Sequence, residues 1–313
     1  MQAVVVDPKA PGHLKLGEAP DPQPDSHQAV LRVRALSLNR GEVRRAQAAE
    51  AGTRIGWDIA GVIVQAAKDG SGPKVGTRVV GISRAMYGWA ERCALPTRDL
   101  APIPEALSFE EAATLPVAGL TALYGLERGS RLLANRVLIT GASGGTGWFA
   151  CGLARLMGAT VVAHVRKEEH ADMVREAGAH EVVVHPQGEG IEKHGPYRLI
   201  FDGVGGDMLT RILPLLTPGG RAVLYGVTAG TEATLTIRTL MMTGHGRIEG
   251  FYLFPETERV AASDGLARLG ALMADGRLHM HIDVQEDWAT VGETAQALLD
   301  RRYPGKAVLT LPD

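Results

Sequence analysis

Apolar and charged residues alternate through QAVLRVRALSL (Gln28–Leu38), a period-two pattern that predicts a half-buried strand. DIAGVIVQA (Asp58–Ala66) and GTRVVGI (Gly76–Ile82) predict further strands with glycine punctuation. Proline clusters at Pro20–Asp25 and Leu100–Ser108 mark turns, so the first hundred residues read as β-rich and irregular. The pattern changes near Ser108. There SFEEAATLPVAGLTALYGL offers Ser108 as an N-cap with Glu111 three residues on, a capping box. From Val137 onward strands and helices alternate. RVLIT, TVVAHV, EVVVH, YRLIFD and GRAVLYG read as strands; TGWFACGLARLMG, KEEHADMVREAG and DMLTRILPLL read as helices. That rhythm predicts an α/β fold with a doubly wound parallel sheet. After about Phe254 the texture becomes mixed, and the chain closes with a strand, KAVLTL. Internal repeats and low-complexity tracts do not occur.

Composition narrows the class without naming a function. A length of 313 residues suits two domains. The net charge of −2, with acids and bases interspersed, offers no basic stripe for nucleic acid and no polybasic patch for a membrane surface. MQAVVVDPKAPG lacks a charged-then-apolar signal layout, and the expectation is a cytoplasmic protein. The uncharged run Val137–Ala154 approaches membrane-span length, but its five glycines fit a buried strand–turn–helix better. Two cysteines, Cys93 and Cys151, leave no disulfide framework and no four-cysteine zinc lobe.

The glycines after RVLIT carry the first chemistry. Ala142-x-Gly144-x-x-Gly147 follows a strand and opens a helix expected to begin near Thr146. In such a unit one glycine lets the backbone approach a pyrophosphate, another lets helix and strand pack closely, and the helix N-terminus supplies N–H groups to the anion. Ser143, Gly144, Gly145, Thr146 and Gly147 are therefore candidate phosphate contacts. The second strand ends AHVRKEEH. Arg166 and Lys167 stand where a carboxylate would select NAD through the ribose 2′-hydroxyl; a guanidinium there suits a 2′-phosphate. The expected cofactor is NADPH, with Glu168 and Glu169 keeping an NAD reading open. TGASGGTG also fits the turn of short-chain dehydrogenases, which need a Tyr-x-x-x-Lys pair. No tyrosine in the chain has a lysine four residues on.

Motifs along nearly the whole length carry a more specific resemblance: ALSLNRGEV, GWDIAGVI, VGTRVVG, ATLPVAGLTALYGL, VLITGASGGTG, FDGVGGDML, LTPGGRAVLYG, RIEGFYLF and PGKAVLTL. The chain resembles the medium-chain dehydrogenase/reductase superfamily in its zinc-independent, quinone-oxidoreductase-like branch. The resemblance implies a GroES-like catalytic domain at residues 1–112, a Rossmann NADPH-binding domain at 113–254, and a return to the catalytic domain at 255–313. Asn39, Trp57 and Ala118 fall at the places where zinc-dependent relatives carry their metal ligands; Asp58 alone keeps a ligating type. No metal site is therefore expected, and His279 and His281 read as a surface pair.

Without a Lewis acid the implied reaction is hydride transfer from NADPH to a small-molecule carbonyl or quinone, meaning a quinone or the β-carbon of an enone. Enoyl-thioester reduction and a low-turnover NADPH-binding or sensing role are the alternatives. By the same resemblance Asn39 donates a hydrogen bond to the acceptor oxygen, unless it only caps the Asn-Arg-Gly turn. Thr121 and Phe251 would lie at the nicotinamide end, and Val204 and Gly226 at strand ends where a parallel sheet receives its dinucleotide. The chain departs from the family at Arg44, where quinone reductases often have tyrosine, and in a short segment before GWDIAG. A homodimer is expected, with the apolar, β-prone segment Thr231–Gly244 supplying the surface.

Overall fold

Val4 and Val6 turn inward from β1 (Gln2–Val6), which pairs antiparallel with β2 (Leu14–Glu18). The alternation after residue 28 becomes β3 (Gln28–Ser37), where Ala29, Leu31 and Val33 are buried and Arg32 is exposed. Next come α1 (Arg40–Ala46), β4 (Asp58–Gln65), β5 (Arg78–Ile82), β6 (Arg92–Pro96) and β7 (Leu100–Pro102). The expected capping box opens α2 (Phe109–Ala113). Ser108 N donates to Glu111 Oε2 at 2.9 Å, and Glu111 N donates to Ser108 Oγ at 3.1 Å. A π-helical turn at Leu115–Gly119 then leads into α3 (Leu120–Glu127).

The alternating region follows as β8 (Arg136–Thr140), α4 (Gly145–Leu156), β9 (Thr160–Val165), α5 (Ala171–Glu176), β10 (Glu181–Val184), β11 (Tyr197–Asp202), α6 (Gly206–Ile212), β12 (Leu216–Leu224), α7 (Ile237–Met242) and β13 (Arg247–Gly250). Its sheet is parallel throughout, in the order β10-β9-β8-β11-β12-β13. Chain order reverses between β8 and β11, and that switch point is where such sheets open a crevice at their carboxyl ends. Strands covered on both faces have continuous apolar cores; Val137, Leu138 and Ile139 are all fully buried.

The chain ends with α8 (Leu253–Arg259), α9 (Ala262–Ala274), β14 (Ile282–Asp287), α10 (Val291–Leu299) and β15 (Lys306–Thr310). β15 pairs antiparallel with β3, so the last strand completes the sheet begun by the first hundred residues. That sheet runs β14-β15-β3-β4-β5-β7, with β6 also paired to β3. The fold is thus a GroES-like β-rich unit interrupted by a Rossmann unit.

This computed structural model describes residues 1–312, divided into residues 1–120 with 254–312 and residues 121–253. The first junction falls at Leu120/Thr121, against an expected 112/113, because α2 packs on β3 and β4 and the π turn on β4 and β5. Each unit has its own core. One gathers Leu31, Leu36, Ile59, Trp89 and Leu309; the other gathers Leu138, Ile200, Met208 and Ala222. One expectation needs correction. Thr231–Gly244 contains no strand: residues 237–242 form α7, capped by Thr236, whose Oγ1 accepts from Thr239 N at 3.2 Å. The cap and the Leu-Met-Met run favour a helical turn over the β-branched residues before them.

Candidate active site

Thr140 ends β8 with its hydroxyl donating to Asp202 Oδ1, and the turn that follows starts at Gly141 with φ +65°. The helix begins one residue earlier than its sequence suggests, with Gly144 as N-cap and Trp148 N donating to Gly144 O at 2.8 Å. By helix geometry the N–H groups of Gly145, Thr146 and Gly147 have no intrahelical acceptor. The two motif glycines do different work. A Cβ on Gly147 would strike Gly141 O and lie 2.6 Å from Ala142 Cα, so Gly147 lets helix and turn close together. A Cβ on Gly144 would meet only Gly141 O at 3.5 Å, ordinary contact distance, on an exposed part of the turn. Packing does not require Gly144. The space above it, the free helix N–H groups and the positive helix end fit an incoming pyrophosphate.

The neighbouring strand ends complete the edge. Arg166, just past β9, is exposed with no ion pair or hydrogen bond among the described residues, while Lys167 is tied to Glu169 Oε1 at 2.8 Å. Asp202 shapes the turn after β11 by accepting from Val204 N at 3.2 Å and Gly205 N at 2.9 Å. Burial raises the Asp202 carboxyl, against the three hydrogen bonds that favour its ionised form. Tyr225, after β12, stacks on Phe201 with ring centroids 4.2 Å apart and donates through its hydroxyl to Thr140 O at 3.1 Å. Gly226 is needed because a Cβ there would lie 2.7 Å from Gly203 O. Phe251 is buried beyond β13, its N–H donating to Leu224 O at 2.8 Å. Parallel register brings Ser143 to Gly147, Arg166, Lys167, Val204, Gly226 and Phe251 to the carboxyl edge of one sheet. Thr121 is buried in the first turn of α3, a helix that packs on β11, where Gly125 leaves room for the Phe201 ring.

Asn39 lies in the other unit, and its surroundings differ from those of a free donor. It is the N-cap of α1. Its Nδ2 donates to Asp58 Oδ2 at 2.7 Å and to Glu42 Oε1 at 3.0 Å, so both amide hydrogens are taken. Its Oδ1 accepts from Lys306 Nζ at 2.7 Å. The same ammonium donates to Leu38 O at 3.1 Å and approaches Asp58 Oδ2 at 3.3 Å, which uses all three of its N–H bonds. Asp58 Oδ1 accepts from Val117 N at 2.9 Å; Glu42 accepts from Asn39 N at 2.7 Å and from Trp57 N at 2.8 Å. Glu42 and Asp58 are fully buried and Lys306 is 3% exposed. Burial and then the neighbouring Asp58 carboxylate push Glu42 well above the usual carboxylate range. Burial raises Asp58 as well, opposed by the Lys306 ammonium and the Asn39 bond.

The arrangement gives both polar atoms of the Asn39 side chain a partner inside the protein, which is the structural alternative extended to a four-residue network. The Asn-x-x-Glu spacing is a local signal for the Glu42 contact that the Asn-Arg-Gly reading left out; the contribution of Lys306, 267 residues away in sequence, has no local signal. Beside the network the Trp57 ring packs on Phe254 at 4.9 Å, while Arg44 and Arg45 are exposed on α1. Ala118 is buried in the π turn.

Comparison with known proteins agrees with both units. The family model described as "Alcohol dehydrogenase GroES-like domain" matches residues 25–120, and "Zinc-binding dehydrogenase" matches residues 145–265. The chain is 32% identical over 227 residues to quinone oxidoreductase of Rattus norvegicus, covering 67% of this chain and 68% of that one. It is 29% identical over 273 residues to quinone oxidoreductase-like protein 2 of Bos taurus, covering 82% of this chain and 76% of the other. The structure of Escherichia coli quinone oxidoreductase complexed with NADPH shares the fold, with a TM-score of 0.87 at 21% identity over 99% of this chain and 100% of that one.

Proposed function

The chain belongs to the medium-chain dehydrogenase/reductase superfamily as a quinone-oxidoreductase-like oxidoreductase, and on that premise we propose that it reduces a quinone or an α,β-unsaturated carbonyl compound with NADPH, without zinc. The observation that carries the reading is a contrast. The dinucleotide turn is intact, while the places of the metal ligands hold Asn39, Trp57 and Ala118. Among the described residues no three His, Cys, Asp or Glu side chains gather as a metal-binding group.

When bound, NADPH supplies a hydride; the protein's part is to seat it and to receive the charge that develops on the acceptor. Gly144 to Gly147 offer backbone N–H groups to the pyrophosphate. Arg166 is the unpaired cation at the second strand end, and a bidentate guanidinium matches a 2′-phosphate. Val204, Gly226, Phe251 and Thr121 would border the nicotinamide end. Asn39 holds its turn rather than donating to the acceptor, because both amide hydrogens are spent on carboxylates. An enone takes the hydride at its β-carbon, and water supplies the proton at the α-carbon. Electron-poor acceptors of this kind need no Lewis acid on an alkoxide.

The protein is also proposed to act as a cytoplasmic homodimer. No helix among the described residues is long and apolar enough to cross a membrane. The direct test is steady-state NADPH consumption by chelator-treated protein with a panel of quinones, enones and enoyl thioesters. Turnover that survives chelation is expected with quinones or enones. Stoichiometric zinc with chelator-sensitive turnover would contradict the reading, as would tight NADPH binding with only background consumption.

A further inference from the structure

The network around Lys306 has a property that an isolated ion pair lacks. Each of its polar atoms faces a partner: three acceptors for the ammonium, two for the Asn39 amide, and N–H donors for both carboxylates. A buried network satisfied to this degree admits one arrangement and rigidifies what it joins. The Asn39 carboxamide is held in one orientation, since its oxygen faces the Lys306 ammonium and its nitrogen faces two carboxyl groups. The members come from four places in the chain: the start of α1, the first residue of β4, the π turn through Val117 N, and the first residue of β15. Three of these segments, NRGE, GWDIAG and PVAGL, hold Asn39, Trp57 and Ala118, the residues at the places of the metal ligands in zinc-dependent relatives, and the third runs on to Thr121, which the functional reading sets at the nicotinamide end. Only Lys306 comes from outside them.

We propose that Lys306 is a positioning residue for the reduction: its ammonium locks Asn39 and Asp58 into one unit, and through Asp58 fixes the main chain at Val117, four residues before Thr121. This rests on the functional reading above. The ammonium touches neither cofactor nor acceptor in this proposal. Its removal leaves two buried carboxyl groups with no cation beside them, frees the Asn39 amide to turn, and releases the π turn from a fixed anchor. Misplacement of about 1 Å at a reacting centre lowers a rate on the order of a hundredfold. The dinucleotide turn at residues 141–147 and Arg166 belong to the other unit, where the functional reading puts the cofactor's phosphates.

The test is a double-mutant cycle of Lys306→Met, Asn39→Ala and the pair. It is read as kcat, acceptor KM, the NADPH dissociation constant and thermal midpoint. Each single change is expected to lower kcat roughly ten- to a hundredfold, with NADPH affinity within about twofold of wild type. The double variant should be no slower than the slower single one, because both remove the same unit. A purely structural lysine would lower the thermal midpoint and leave kcat unchanged in the folded fraction. That result, or rate losses that multiply in the double variant, would overturn the proposal. If Lys306→Met does not fold, Lys306→Arg replaces it in the cycle: the charge is kept, the three-point geometry is lost, and the same coupled loss of kcat is expected. Normal wild-type turnover with an undiminished Lys306 variant contradicts this proposal alone; wild type without turnover on any acceptor overturns the functional reading and this inference together.

Discussion

Gly144 and Gly147 look alike in a motif and behave oppositely in the structure. A Cβ at position 147 has no room beside Ala142, so Gly147→Ala is expected to destabilise the protein by roughly 1–3 kcal/mol. Gly144→Ala should cost less stability than Gly147→Ala, only the poorer cap that alanine makes, and should weaken NADPH binding, because its methyl projects into the open space above the turn. Thermal melts and cofactor titrations of both variants check this; equal midpoints would refute the packing argument. Arg166 gives the test of cofactor choice. A hydrogen bond to a charged group contributes roughly 1.5–3 kcal/mol, so Arg166→Ala should weaken NADPH about tenfold or more with little change for NADH. Equal losses for both cofactors would reduce Arg166 to the start of a solvated helix. The cysteines offer a control on burial. Burial pushes the Cys93 thiol to about 11 and Cys151 to about 12. Neither should react with a thiol reagent at pH 8 until the protein is unfolded, and rapid labelling of the native protein would show that the units open. The sign for stability follows from the same shifts: a thiol raised in the native state favours folding less as pH climbs above the ordinary thiol range of about 8.5.

At the scale of elements the sequence was most legible where one residue pattern meets one environment. Residues 136–140, 160–165 and 197–202 became strands with the expected bounds, because strands covered on both faces carry continuous apolar runs. β12 begins at Leu216, four residues before GRAVLYG, since Leu216 pairs with Tyr197 of β11 ahead of a register shift. The segment at 231–244 reads as β-prone because its threonines and Ile237 are β-branched, while the deciding feature is a single N-cap at Thr236. α7 still leaves Ile237, Met241 and Met242 more than two-thirds exposed. If the dimer uses this face, replacing Ile237, Met241 and Met242 with serine should shift the mass seen by light scattering from dimer to monomer. A wild-type monomer at micromolar concentration would refute the dimer itself. The closing strand is a second element whose worth is measurable. Leu309, fully buried between β14 and β3, should cost about 2–5 kcal/mol when changed to alanine. A change below 1 kcal/mol would mean that β15 is not integral to its unit.

For the molecule as a whole, motif order and spacing were enough to identify the family and its two kinds of unit, and the family models match residues 25–120 and 145–265. The polar network was not legible to the same extent. Asn39 could be read as donor or as cap, and the choice depends on Lys306, whose contribution appears only once β15 lies beside β3. The central claim is that hydride passes from NADPH to an electron-poor acceptor without a metal. It is tested most directly with NADPH deuterated at nicotinamide C4, on each face separately, an enone as acceptor, and chelator-treated protein. Consumption of one NADPH per saturated product is expected, with deuterium from one of the two labelled cofactors recovered at the product's β-carbon. Oxidation of the cofactor with no label in the product from either face, or no consumption above the protein-free rate across the acceptor panel, would contradict the account.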